Sequence, residues 1–541
     1  MTAQLDLADI QGNILTAYGR LGFPKARFLM FQIIEPAAGR AFLQAIRYQL
    51  TTALRWPSAS KPGIPTHKGL QRPLVTMNVA LNFYGLYALQ LSTRTLRGLP
   101  DEFIDGMANR AEILGDDVDD RQDKWDPIWC RRDRPVHMVV SLNAQIDEHG
   151  NPVAELEAKT QELRALCGRL DNKVVLLEGH RGPQPDCQNA SAVMVANGKG
   201  GRMPTPNEHF GFRDAISDPV FEGQAPPDQL AALATGNGKL NAAQQWLPLA
   251  TGEFLLGHPD EAQEIAGRAM PGDFSRNGTF MAYRKLHQNV DAFRNYIQTT
   301  GRDFAQATGA PAERGPDMLM AKMAGRWPDG VPLVLAPTWD DWMPIRARRA
   351  KALADGDTAT IAAMERDLLN FTFRADPSGA SCPFSAHVRR VNTRDMLDPH
   401  FGSPHKDDWM GSNLNNRRRV LRRGLPYGES PPGSPDGPGS PDGDEHGVIM
   451  MVVCANLFRQ FEFVQQQWVN YGLDFNAGND TCPLVGNHPP DAKFVIPGDA
   501  TRPPFICGRL PQFVETRGGD YYFIPSMTAL RMISDGVVDP T

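Results

Sequence analysis

Apolar residues run or alternate through six short stretches, at residues 28–34, 75–81, 136–142, 253–256 and 280–283 and from Val448 to Ala455, and turn-forming residues close them. Stretches of that length and period predict β-strands. Between them, apolar residues return every three to four positions in 39–50, 290–298 and 459–470, the spacing of one buried helix face. Strands and amphipathic helices interleave in two tracts, divided by the loop-rich segment 182–207. The pattern predicts an α+β fold with two architecturally similar halves, 1–205 and 206–541, although no sequence period relates them.

Two segments interrupt the alternation. Residues 347–364, rich in Ala, Arg and Asp, predict an inserted surface helix. Residues 429–446 contain GSPDG twice and offer nothing to a core, so they predict a surface loop beside whatever the preceding arginines serve.

Composition narrows the function classes. A chain of 541 residues with 41% hydrophobic and 22% charged residues can build a large core, which excludes bulk disorder. Its 50 Gly and 45 Pro argue for many turns and against a simple helical bundle. The net charge of −6 supplies no field for a polyanion, so no nucleic acid partner is expected. Seven scattered cysteines contain no CxxC or CxxCH spacing and suit a reducing compartment. The first fifteen residues lack a basic leader pattern, and the eight-residue run 448–455 falls far short of a membrane span of about 20 residues. A cytoplasmic protein with no membrane partner is expected.

Three segments carry side chains that chemistry could use. In Gly211-Phe212-Arg213-Asp214-Ala215 an acid follows a Gly-containing turn, a pattern that by itself more often marks a helix cap or a closed turn. In residues 382–395, CPFSAHVRRVNTRD, His387 stands among Arg389, Arg390 and Arg394. Neutral imidazole ligates iron and guanidinium groups grip carboxylates in bidentate fashion, so this set suits a planar cofactor bearing carboxylates. A solvated basic segment has the same composition. No HExxH spacing points to zinc or a facial-triad iron. Residues 417–423 hold five arginines, yet the acidic chain and the lack of interleaved aromatics disfavour a nucleic-acid patch.

Together these segments supply an acid, an imidazole and an arginine from distant parts of the chain. Eight ordered motifs extend the set: DIQGNIL at 9–15, GFRDAISDP at 211–219, GEFLLGHPDE at 252–261, NGTFMAYRKL at 277–286, CPFSAHVRRVNTRD at 382–395, VLRRGLPYG at 420–428, RQFEFVQQQW at 459–468 and DYYFIPSMTALR at 520–531. Along nearly its whole length the chain resembles the dye-decolorizing peroxidases, in their longer bacterial and fungal branch. The resemblance implies duplicated ferredoxin-like halves of the dimeric α+β barrel type, with haem b (iron protoporphyrin IX) held noncovalently in the second half. It implies that hydrogen peroxide is reduced and that dyes, phenols or other aromatic one-electron donors are oxidised through a ferryl intermediate. Residue by residue, it makes His387 the proximal iron ligand, Asp214 the distal acid-base and Arg422 the distal arginine. Arg389 and Arg394 match propionate contacts, Asn392 lies beside the proximal histidine, and Glu462 is the candidate acceptor for that histidine's other ring nitrogen. His400 and His405 are the alternative ligands, and a homo-oligomer is compatible with the family.

Two departures from the family pattern stand out. Ala215 replaces the glycine of its GxxDG motif, where a methyl group opposes positive φ. Val448 and Met450 occupy the positions over the iron, with Met450 in place of an aromatic ring, which predicts a roomier pocket; ordinary core packing is the competing role for Met450. Tyr427, flanked by Pro426 and Gly428, is expected in a turn near pocket and surface, either relaying electrons or packing that turn. A haem carrier or iron-releasing protein with little turnover is the alternative function. A hydrolase is disfavoured because no GxSxG elbow is present.

Overall fold

The computed structural model describes residues 4–57, 70–116, 121–265, 269, 271–428, 445–499 and 501–537. The expected insert at 429–446 therefore lies outside the described residues except for Glu445 and His446.

The first half contributes strands β1 (Lys25–Ile33), β2 (Val75–Leu81), β3 (Met138–Ala144) and β4 (Val174–Leu176), paired antiparallel in the order β2-β3-β1-β4. A further strand, β5 (Gln188–Ser191), pairs with the start of β1. The second half contributes β6 (Thr279–Gln288), β7 (Leu421–Tyr427), β8 (Gly447–Cys454) and β9 (Val514–Ile524), in the order β7-β8-β6-β9. In each half the first strand lies between the third and the fourth, so both share one topology: the duplication is in architecture. The two sheets join where Phe523 of β9 pairs with Leu81 of β2, and β5 lies against β7 at the other side.

Strand alternation sorts the side chains. Phe28, Met30 and Val139 from the first half and Met281, Tyr283, Ile449, Met451 and Tyr522 from the second form one continuous buried cluster, the inside of an α+β barrel. The intervening residues, among them Leu29, Phe31, Val140, Ala282, Val452 and Phe523, face outward and are covered by helices. Helix α1 (Pro36–Arg47) presents Phe42, Leu43 and Ile46 to that surface, and α2 (Ala154–Arg169) presents Leu156, Leu163 and Leu166. In the second half, α3 (Val290–Thr308) and α4 (Gly315–Ala324) share a separate apolar core.

Several elements differ from the sequence expectation. Residues 253–256 form no strand; Phe254, Leu255 and Leu256 bury their side chains from a short 3-10 turn and the loop after it. A four-residue apolar run fits either environment. The surface helix expected at 347–364 is two helices, α5 (Trp339–Ala354) and α6 (Thr358–Asp367), broken where Gly356 adopts φ 66°. The helix expected at 459–470 is π-helical, in segments Leu457–Glu462 and Val464–Val469. Strand β9 had no sequence expectation because Arg517-Gly518-Gly519-Asp520 interrupts its apolar pattern.

Candidate active site

A cavity of about 730 Å³ lies between the outer face of the second sheet, helix α7 (His387–Val391), the π-helical segments and the loop 208–217. Alternation sets its floor. On β8, Val448, Met450 and Val452 line it while Ile449, Met451 and Val453 point into the barrel. On β6 the lining residues are Arg284, Leu286 and Gln288, and on β7 the contribution is Arg422.

Asp214 and Arg422 meet at the cavity wall, with Arg422 Nη1 donating to Asp214 Oδ1 at 2.7 Å. Both side chains remain open to the cavity, at 43% and 46% exposure. The carboxylate keeps the guanidinium charged, raising its pKa above the ordinary arginine value, although burial opposes this. Ala215 follows with φ 57°, a left-handed conformation that costs an L-residue about 1–2 kcal/mol. Its N–H donates back to Asp214 Oδ1 at 2.5 Å, so the strained turn also aims the acid. Glu208 lies behind this turn, accepting from the backbone N–H groups of Phe210 and Phe212 at 2.9 Å each and from Gln288 Nε2. Burial pushes its carboxyl up to about 7 against those hydrogen bonds.

His387 begins α7 and lines the cavity with Val388, Val391 and Asn392. Its Nδ1 lies 3.3 Å from the Sγ of Cys482. Burial raises the Cys482 thiol, but His387 and Arg390 outweigh it and bring its pKa down to about 7. The Oδ1 of Asn392 is buried without a partner.

A third group is cationic. Arg326 and Arg419 line the cavity and donate only to backbone oxygens: Arg326 to Gly330 O at 2.8 Å, Arg419 to Gly238 O at 3.0 Å. Neither forms an ion pair among the described residues, and burial lowers the pKa of each to about 10. Arg394 is buried behind them; its Nη1 donates to Phe371 O at 2.8 Å while Nε and Nη2 have no partner. Burial, then Arg326 and Arg419, lower its pKa well below the usual value.

Other expected site residues fall elsewhere. Arg389 does not reach the cavity: its guanidinium is fully buried against Asp376 Oδ2 (2.7 Å) and Cys382 O (2.8 Å) and packs over Phe373. Two residues beyond His387, it emerges on the opposite side of α7. Glu462 does not partner His387 but receives a bidentate pair from Arg110 (2.5 and 2.6 Å) and a hydrogen bond from the Tyr521 hydroxyl (2.8 Å). Tyr427 is not in an exposed turn; it ends β7, 2% exposed, with its ring under the Lys285 ammonium inside the barrel. His400 and His405 are not among the cavity-lining residues.

A sequence profile of the DyP dimeric alpha+beta barrel domain matches residues 9–183. The dye-decolorizing peroxidase msp1 of Mycetinis scorodonius is 25% identical over 546 aligned residues, covering 98% of this chain and 88% of its own length. Over nearly its whole length the chain is similar to dye-decolorizing peroxidases. Peroxidase 2 of the same fungus is 27% identical over 97% of the chain and 87% of that protein. The crystal structure of a fungal DyP-type peroxidase from Auricularia auricula-judae superposes with a TM-score of 0.70 at 21% identity, covering 98% of this chain and all of that one. A dye-decolorizing peroxidase in complex with 2,6-dimethoxyphenol gives a TM-score of 0.65 at 23% identity over 98% of this chain. Dye-decolorizing peroxidases are haem enzymes, and this chain shares their barrel. Sequence reasoning missed Arg326 and Cys482, which lie outside the motif stretches, and assigned no role to Glu208 or to Arg419 within the five-arginine stretch.

Proposed function

We propose that this chain is a haem b-dependent peroxidase that reduces hydrogen peroxide at Asp214 and Arg422 and oxidises dyes and phenols. The observation that carries the reading is the meeting in one cavity of His387, the Asp214–Arg422 pair and an excess of buried cations. The donor set fits the noncovalent cofactor. Arg326 and Arg419 lack carboxylate partners among the described residues, and two nitrogens of Arg394 are orphaned; buried donors left so cost about 1–3 kcal/mol each. Two propionates would supply acceptors to Arg326 and Arg419, which line the cavity with Arg394 behind them. Among the described residues no cluster of His, Cys, Asp and Glu offers a separate metal site.

Haem bound here supplies an iron site for peroxide and the capacity to pass oxidising equivalents to a donor. His387 would hold the iron through Nε2, its Nδ1 lying against Cys482 Sγ. Asp214 takes the proton from one peroxide oxygen and returns it to the other, which makes the departing oxygen a neutral water. Arg422 remains charged beside it and stabilises negative charge as the O–O bond breaks. Val448 and Met450 give this space an apolar wall.

The test pairs two variants. His387→Ala should lose most haem, read from the Soret band. Asp214→Asn should retain haem yet react with one equivalent of peroxide about 10²- to 10⁴-fold more slowly. Full haem occupancy in the first, or an unchanged rate in the second, overturns the corresponding assignment. A haem-bound wild type with no peroxide-induced spectral change would favour the carrier reading.

A further inference from the structure

We infer that Cys482 is the positioning residue for His387, its sulfur accepting the Nδ1–H hydrogen bond and fixing the imidazole in the tautomer whose Nε2 lone pair faces the cavity. The inference deepens the proposed function, because it rests on His387 as the iron ligand.

The sulfur is fixed in place. Cys482 is fully buried, its N–H donates to Val469 O at 2.7 Å, and its carbonyl accepts from Gly486 N at 3.0 Å. His488 Nε2 lies 3.0 Å from the same carbonyl. On the other side, Arg390 Nη2 donates to Asp480 O at 2.7 Å and Nη1 to Trp468 O and Tyr471 O at 2.8 Å each. This tethers α7 to the segment that carries the cysteine. His387 thus meets the thiol through two anchored backbones, and the 3.3 Å contact is a normal length for a bond to sulfur.

Direction decides the chemistry. A thiol donating to Nδ1 would leave the proton on Nε2 and block ligation, whereas Nδ1–H donating to sulfur frees Nε2. Partners on the far ring nitrogen fix the orientation and tautomer of ligating histidines, and losing one typically weakens metal binding about 10- to 100-fold. Sulfur is a weaker acceptor than a carboxylate, so the ligand basicity set here is lower than an acid at the same place would give. Glu462, the acid expected in this role, is already bound to Arg110 and Tyr521.

The experiment compares wild type, Cys482→Ser, Cys482→Ala and Cys482→Asp as full-length chains. In the haem-free protein, ¹⁵N NMR of labelled histidine reads the His387 tautomer directly. Nδ1–H should dominate in wild type and in the Ser and Asp variants, and the Ala variant should shift toward Nε2–H. In the ferrous haem-loaded proteins, the iron–histidine stretching frequency should fall in Cys482→Ala and rise in Cys482→Asp, with haem retention about 10- to 100-fold weaker in the Ala variant. A folded Cys482→Ala protein whose His387 keeps the wild-type tautomer, or a folded Cys482→Ser protein that shifts to Nε2–H, overturns the inference. An iron–histidine band that survives His387→Ala overturns the ligand assignment instead, and the haem-free NMR comparison still judges the cysteine. A merely structural role for Cys482 predicts lower thermal stability with both spectroscopic signatures unmoved.

Discussion

Replacing Arg394 by Met separates a cation that supports the fold from one waiting for a ligand. In the haem-free chain the substitution removes two orphaned N–H donors, a relief of about 2–6 kcal/mol at roughly 1–3 each. Against this stand the lost bond to Phe371 O at 2.8 Å, about 1.5–3 kcal/mol for a charged donor, and the stacking of the guanidinium on Phe371 at 3.8 Å, about 0.5–2 kcal/mol. The terms cancel to within a few kcal/mol. Unfolding entropy near 2.1 cal/mol/K per residue makes 1 kcal/mol equal to about 1 °C in a chain of this length, so the haem-free melting temperature should move by no more than a few degrees. Haem binding should suffer more: one lost charge-assisted bond, about 1.5–3 kcal/mol, weakens affinity roughly 10- to 150-fold. Titration of haem-free protein with haemin, followed at the Soret band, measures the affinity, and a thermal melt of the same preparations measures stability. Unchanged affinity, or a haem-free melting temperature lowered by ten degrees, would refute the reasoning.

Tyr427→Phe should leave the turnover of bulky dyes unchanged and raise stability by about 1 kcal/mol, because the buried hydroxyl has no partner; lower dye turnover in steady-state assays would restore the relay role. Glu208→Gln should flatten the pH dependence of haem-free stability. The folded Glu208 carboxyl holds a proton up to about 7 while the unfolded reference is 4.5, so its contribution is full below 4.5 and is lost as pH rises through 7. The loss amounts to at most about 1.4 kcal/mol per pH unit, and urea melts at pH 5 and pH 7.5 compare the slopes of variant and wild type. Dye oxidation should peak on the acidic side of neutrality, because a carboxylate retains its charge where an imidazole base would be protonated; pH profiles with several unrelated donors check this.

The strands that build the site were legible wherever an apolar run stayed unbroken. Residues 75–81 match β2, and the run from Val448 coincides with β8. Strand β9 escaped because Gly518 and Gly519, at φ 125° and 159°, replace side chains at its centre. A Cβ at Gly518 would meet the Trp129 ring at 2.0 Å, so close packing against a distant residue dictated a sequence that does not look like a strand.

The candidate site was legible in the segments that motifs mark and illegible where geometry selects among neighbours. Alternation on β7 could have separated Arg422 from Tyr427: an odd spacing of five puts them on opposite faces, one on the cavity and the other inside the barrel. Helical spacing likewise separates Arg389 from His387. Neither rule, however, finds Arg326 or Cys482: Arg326 lines the cavity from the loop after α4, and Cys482 lies behind the lining and is defined by the His387 ring it faces. Ala215 shows the reverse relation. Its residue type argues against positive φ, yet it adopts φ 57° because the surrounding turn is held from outside by Arg213 N on Pro328 O at 2.8 Å and Asp214 N on Pro206 O at 2.9 Å. The tertiary frame imposes the conformation, and the strain it leaves lies beside the carboxylate that the proposed peroxide chemistry uses.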